Sequence, residues 1–187
     1  MYELYSSARN DLWRFTLGKY GSRKLLAVGL NPSTATKERS DTTVAKVEGV
    51  AKRNGFDGFV MLNLYPVRST DFNALPFDVD AEAFPENLKC IEALVAAEPN
   101  SVIWAAWGEN IHARSYFVTA AQELFSRLQN YGAAWQHFGT LTKSGHPRHP
   151  SRLNYAWSFT ELDTCRYVQS IGTSKIANSP SPKTFAP

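Results

Sequence analysis

The run at 25–35, L-L-A-V-G-L-N-P-S-T-A, constrains the fold more than any other part of the chain. Its first half has no polar side, so the strand it predicts is covered on both faces, as the inner strands of a parallel sheet are. The second half turns polar at Asn31, and Pro32 fixes the backbone where the strand leaves the sheet. Ligands of open α/β folds collect at such strand ends. Three later segments bear on the same edge: M-L-N-L-Y-P at 61–66, V-I-W-A-A-W-G at 102–108, and G-H-P-R-H-P-S-R-L at 145–153.

The rest of the pattern predicts strands alternating with helices. Residues up to 17 fit an edge strand or a helix equally, and 24–30 reads as the first central strand. Asp41 caps a helix that runs to Asn54, with Val44, Val47 and Ala51 on one face and Gly55 after its end. A second strand at 59–63 follows. Pro85 opens a helix carrying Leu88, Ile91 and Val95, which Pro99 stops. A strand at 101–107, a helix at 113–131 closed by Gly132, and a strand at 136–141 complete the series. Such alternation implies a three-layer α/β/α sandwich around a central, mainly parallel four-stranded sheet. One domain is expected over 1–171, with 172–187, rich in Pro and Ser, as a disordered tail.

Length and composition narrow the function classes. At 187 residues, with 43% hydrophobic residues and five Trp, the chain can bury a sizeable core. Two cysteines supply neither a disulfide framework nor a thiolate cluster, and no Walker or dinucleotide glycine pattern occurs. The expectation is a monomer of the reducing cytoplasm, off the membrane, with no metal and no cofactor. The net charge is only +3, yet 124–160 holds no acidic residue while carrying Arg127, Lys143, Arg148 and Arg152 beside His137, His146 and His149. This stretch is either an anion-attracting surface or a solvated face that lacks acids.

Parallel strands end on one edge, so Asn31, Asn63, Gly108 and the loop beyond Leu141 are expected in one cleft. Over 24–155 the arrangement resembles the uracil-DNA glycosylase superfamily. Gly29-Leu30-Asn31-Pro32-Ser33 is similar to its G-Q-D-P-Y-H or G-I-N-P-G strand end, and Met61-Leu62-Asn63 to its L-L-N. Ala106-Trp107-Gly108 is similar to its L-W-G, and His149-Pro150-Ser151-Arg152-Leu153 to its H-P-S-P-L loop. The same combination also resembles a family of bacterial and phage proteins whose label names no activity.

The superfamily likeness implies a DNA glycosylase that swings a pyrimidine out of the helix and leaves an abasic site. Asn31 would orient the attacking water and His149 would donate to the base oxygen that gains charge as the bond breaks. His146, three residues earlier, is an equal candidate for that donor. Asn63, with Gly29 and Ser33, would hold the base, since a carboxamide pairs bidentately with a pyrimidine edge. Ser33 stands where the uracil-specific branch has a Tyr, which implies a 5-substituted base, including the bulky bases of phage DNA, and a role in phage defence. Leu153 would be the wedge, and Ser151, Arg152, Arg148, Lys143, Arg68 and His146 the contacts to single- or double-stranded DNA.

Each residue also has a plainer reading. Asn31 fits a turn before proline, Asn63 a buried amide satisfied by backbone, and Leu153 an anchor for its loop. Tyr65, Trp104 and Trp107 suit the core better than base stacking, and Cys90 suits helix packing. Glu109 departs from the superfamily by putting a carboxylate where phosphate would approach. A non-catalytic binder of a modified base or nucleotide, and a hydrolase of free nucleosides, are the two alternatives.

Overall fold

A computed structural model of the chain describes residues 1–173. Its strands are β1 (Leu4–Ala8), β2 (Trp13–Lys19), β3 (Lys24–Gly29), β4 (Gly58–Asn63), β5 (Val102–Ala105), β6 (Ala134–Phe138) and β7 (Phe159–Glu161). Four α-helices accompany them: α1 (Thr42–Arg53), α2 (Ala83–Ala97), α3 (Ser115–Leu128) and α4 (Thr164–Thr173). All seven strands form one sheet in the order β1-β2-β4-β3-β5-β6-β7. The inner strands β4, β3, β5 and β6 are mutually parallel, whereas β1, β2 and β7 are antiparallel to their neighbours.

This mixed seven-stranded sheet with four helices overturns the expected sandwich built on a four-stranded parallel sheet. Of the four central strands, β3, β4 and β5 are legible because they are almost continuously apolar, whereas β6, A-W-Q-H-F, begins two residues before the expected 136–141 and ends three residues short of it. The additions were not legible, for physical reasons. β1 is L-Y-S-S-A, half exposed and without clear alternation, and β7 is three residues long, too short to show a period. The turn between β1 and β2 uses Arg9, Asn10 and Asp11 in the left-handed region, two of them residues that tolerate it.

Alternation along the inner strands feeds two cores. Leu26, Val28, Val60 and Leu62 pack on one face under α2, α3 and α4, while Leu25, Ala27, Phe59 and Met61 pack on the other under α1. The second face is completed by Trp104, Phe138 and Phe159, whose rings meet edge to face or tilted. The expected tail begins inside α4 at its first two positions, and 174–187 lies outside the described residues.

Topology then positions the site. From β3 the chain crosses through α1 to β4 on one side; from β4 it crosses back through α2 to β5 on the other side of β3. The loops leaving β3 and β5 therefore part toward opposite faces, opening a crevice at the carboxyl ends of these strands.

Candidate ligand-binding cleft

That crevice is a cleft of about 990 Å³, at the upper end of the roughly 300–1,000 Å³ usual for small-molecule sites. β3 contributes Gly29 and the turn Asn31 and Ser33; β4 contributes Asn63 at its last position. Beyond β5 come Trp107, Gly108 and Glu109, and the loop after β6 supplies Lys143, Arg148 and His149, followed by Ser151 and Arg152. Of the residues assigned a role in the site from the sequence, Arg68, His146 and Leu153 lie outside this lining.

Asn63 is the most informative of them. It is 1% exposed, and neither its Nδ2 nor its Oδ1 finds a hydrogen-bond partner. Its backbone carbonyl accepts from the Asn87 amide at 2.9 Å, while no backbone group meets its side chain. Leaving a buried carboxamide unpaired costs on the order of 1–3 kcal/mol per group, a cost a ligand carrying both a donor and an acceptor would offset. Gly29 makes room for it: a Cβ there would stand 3.0 Å from Asn63 Oδ1 and 2.6 Å from the Met61 methyl.

The Asn31 carboxamide is oriented from behind. Its Nδ2 donates to the carbonyls of Pro32 and Ser69, both at 3.0 Å. Two carbonyl acceptors can be met only by the amino end, so Oδ1 remains as an acceptor for whatever occupies the cleft.

His149 is fixed as to tautomer. The Ser151 backbone N–H donates to its Nδ1 at 3.3 Å, and the Ser151 hydroxyl lies 2.8 Å from the same nitrogen. Nδ1 thus carries no proton, and the neutral ring bears its proton on Nε2. Burial pushes the His149 pKa down; Asp41 opposes this and Arg152 adds to it. Gly108, at φ +81°, lets the β5 exit pass close to this loop, since a Cβ would lie 3.0 Å from His149 Cβ.

His146 has other partners. The Trp107 indole donates to the Tyr167 hydroxyl at 2.9 Å, which sends the Tyr167 proton toward His146 Nδ1 at 3.0 Å. Arg68 is spent on the carbonyls of Ser33 and Ala35, on the Tyr5 hydroxyl and on Asp11. Leu153 packs against the α1-side core. Glu109 is held as a carboxylate chiefly by a hydrogen bond from Thr142, with Ser144, His146 and Arg148 adding to it against some desolvation. Arg148 donates through Nε to the Thr140 carbonyl at 2.8 Å. Tyr65 and Trp104 are wholly buried, and Trp107 borders the cleft from the core. Among the described residues no group of three or more His, Cys, Asp or Glu could hold a metal ion, and no helix is long and apolar enough to cross a membrane.

Two charged lining residues escaped the sequence reading of the site, Arg14 from β2 and Asp41 at the start of α1. Asp41 was legible only as a helix cap, and Arg14 only as a charge inside the apolar run W-R-F-T-L.

The family described as Protein of unknown function (DUF1643) matches residues 9–151. The chain belongs to the DUF1643 family. No curated protein and no solved structure matches it. The family likeness read from the N-P-S-T-A and H-P segments therefore stands, whereas the likeness to the uracil-DNA glycosylase superfamily does not. The mixed seven-stranded sheet does not fit the fold that likeness implied, and the glycosylase and base-flipping vocabulary attached to it falls away. The shared motifs are short turns at strand ends, where Gly, Asn and Pro serve close approach and chain reversal in any α/β sheet.

Proposed function

We propose that the DUF1643 cleft binds a ligand with a cyclic-amide edge, of the nucleobase class, carried on a sugar. The observation that carries this is the buried, doubly unpartnered Asn63 carboxamide in the cleft lining. A heterocycle offering an adjacent N–H and C=O pairs with both of its atoms at once. Ser33, small and at the mouth of the β3 turn, leaves space for a ring substituent.

The chemistry proposed for this ligand is hydrolysis of its N-glycosidic bond. Asn31 Oδ1 accepts a hydrogen bond from a water and aims it at the anomeric carbon. The C–N bond breaks with its electron pair going to the base, while His149 Nε2–H donates to the base oxygen on which charge collects. The water oxygen becomes the sugar hydroxyl, and its proton reaches the departing base through solvent. A binder without this step is the second reading, favoured by Asn31 being an amide, which cannot take a proton from the water. A cytoplasmic setting goes with either reading, in keeping with the free thiols Cys90 and Cys165.

Titrating the protein with nucleosides, nucleotides and short oligonucleotides by calorimetry, and following free base by chromatography, tests both. Asn63→Ala is expected to lower affinity about tenfold or more, the loss of a paired buried amide. Base release that disappears in Asn31→Ala and His149→Ala with binding retained supports hydrolysis; binding without release selects the second reading. Oligonucleotide affinity that falls steeply with salt would assign the bearer to a strand, through Lys143 and Arg152. Absence of any response to every nucleobase ligand would end the proposal.

A further inference from the structure

Among the basic side chains that line the cleft, Arg14 is the buried one. It lies on β2, is 2% exposed, and borders the cleft beside Asp41 and Ser33. Its Nη1 donates to the Ala35 carbonyl at 3.0 Å, and its Nε has no partner at all. None of the ion pairs among the described residues includes it; the nearby Asp11 carboxylate is paired with Arg68 instead. A buried cation lacking a paired anion costs several kcal/mol, so a fold retains one where something else compensates. Burial and the adjacent Arg68 bring the Arg14 pKa down to about 10, with Asp41 acting the other way.

The backbone around Arg14 is irregular in a way that aims it. Pairing of β1 with β2 runs from Ser6 opposite Thr16 to Ser7 opposite Arg14, so Phe15 is an extra residue in β2. Arg14 and Phe15 are consequently both buried, against the alternation of a regular strand. Bulges of this kind re-aim side chains beside functional sites. Because β2 runs antiparallel to β4, with the Arg14 N–H bonded to the Pro66 carbonyl, Arg14 also sits at the edge of the sheet where Asn63 ends β4.

We propose that Arg14 is the oxyanion-binding group of the cleft, receiving a phosphate or carboxylate oxygen of the ligand whose ring edge meets Asn63. This deepens the reading above and rests on it only for the other end of the ligand. A guanidinium presents its donors as a planar fork that suits both oxyanions. A nucleoside phosphate or a base bearing a carboxylate is thus the favoured ligand class over a neutral nucleoside.

Inorganic phosphate and acetate, each compared with chloride at equal ionic strength, are the probes for Arg14, read as thermal shifts of the full chain. Phosphate stabilisation with little response to acetate assigns a phosphate ligand; the reverse assigns a carboxylate. Arg14→Gln keeps a donor for Ala35 and is expected to lose the shift, while Arg14→Lys keeps the charge and is expected to weaken it about tenfold through loss of the fork. Removing an uncompensated buried charge is also expected to leave the ligand-free melting temperature of Arg14→Gln equal to or above that of the parent. An anion response unchanged in both variants, or no response in the parent together with a lower melting temperature in Arg14→Gln, overturns the assignment. Neutral nucleosides probe Asn63 alone, so failure at Arg14 and failure of the base reading are separately visible.

Discussion

At the scale of single residues, the cleft is built from groups whose hydrogen-bonding state is decided by their neighbours. His149 shows this best, because Ser151 occupies Nδ1 and leaves Nε2–H as the donor. An ordinary histidine titrates near pH 6.5, about where the unfolded chain would. Burial lowers the pKa of His149, and likewise of His146 and His137. Below about pH 6.5 the unfolded chain therefore binds more protons than the fold, so stability is full above that pH and falls as acid is added. Melting temperatures between about pH 7.5 and 5 should decline, and His149→Gln should flatten part of that decline. Ligand affinity should follow the same direction, since protonating Nδ1 removes the acceptor for the Ser151 N–H. The sequence could show that Asn31 and Asn63 sit at strand ends and that His149 lies on the loop beyond the last parallel strand. It could not show that Asn63 lacks partners or which nitrogen of His149 carries the proton, because both depend on neighbours distant along the chain.

At the scale of elements, what was legible followed from periodicity and what was not followed from its absence. α1, from Thr42 to Arg53, matches its apolar spacing and end signals, whereas α3 covers only Ser115–Leu128 of the expected 113–131 and passes into a 3-10 turn at Gln129–Tyr131, which Gly132 closes at φ +69°. α2 begins at Ala83, two residues before the proline expected to open it, because Asp80 accepts from the Ala83 N–H and starts the turn earlier. The α1 cap does more than end a helix. Asp41 accepts from the N–H groups of Val44 at 2.9 Å and Ala35 at 3.3 Å, tying the loop after β3 to the helix, and its charge raises the His149 pKa against burial. Asp41→Ala should cost about 1 kcal/mol, the ordinary loss of a cap, measured by denaturant unfolding. Asp41→Asn keeps a capping oxygen and should leave stability nearly unchanged while moving the His149 titration further down, read by NMR. An unmoved titration would mean that Asp41 is too well solvated to act on the imidazole.

At the scale of the whole molecule, the question is whether the β1–β2 hairpin is an appendage to a parallel four-stranded unit or part of one cooperative body. The packing favours one body. Leu17 of β2 is wholly buried in the same core as Leu25, Phe59, Met61 and the α1 valines. Gly18 lies so close to the Phe59 carbonyl that a Cβ would stand 2.0 Å from it, which fixes β2 tightly against β4. Arg68, beyond β4, then reaches back to Tyr5 of β1 and forward to the carbonyls of the β3 turn, so hairpin and cleft share one hydrogen-bond network. Leu17→Ala should accordingly destabilise by about 2–5 kcal/mol, the cost of a buried cavity. More decisively, the loss should be global: tryptophan fluorescence, which includes Trp13 in the hairpin and Trp104 at the centre, should report the same midpoint as far-UV circular dichroism. Two separated transitions in the variant, with the ligand still bound after the first, would show that the hairpin melts alone. In that case Arg14, which belongs to the hairpin, could not be holding the ligand, and the extension of the sheet beyond its parallel core would be separable from the site.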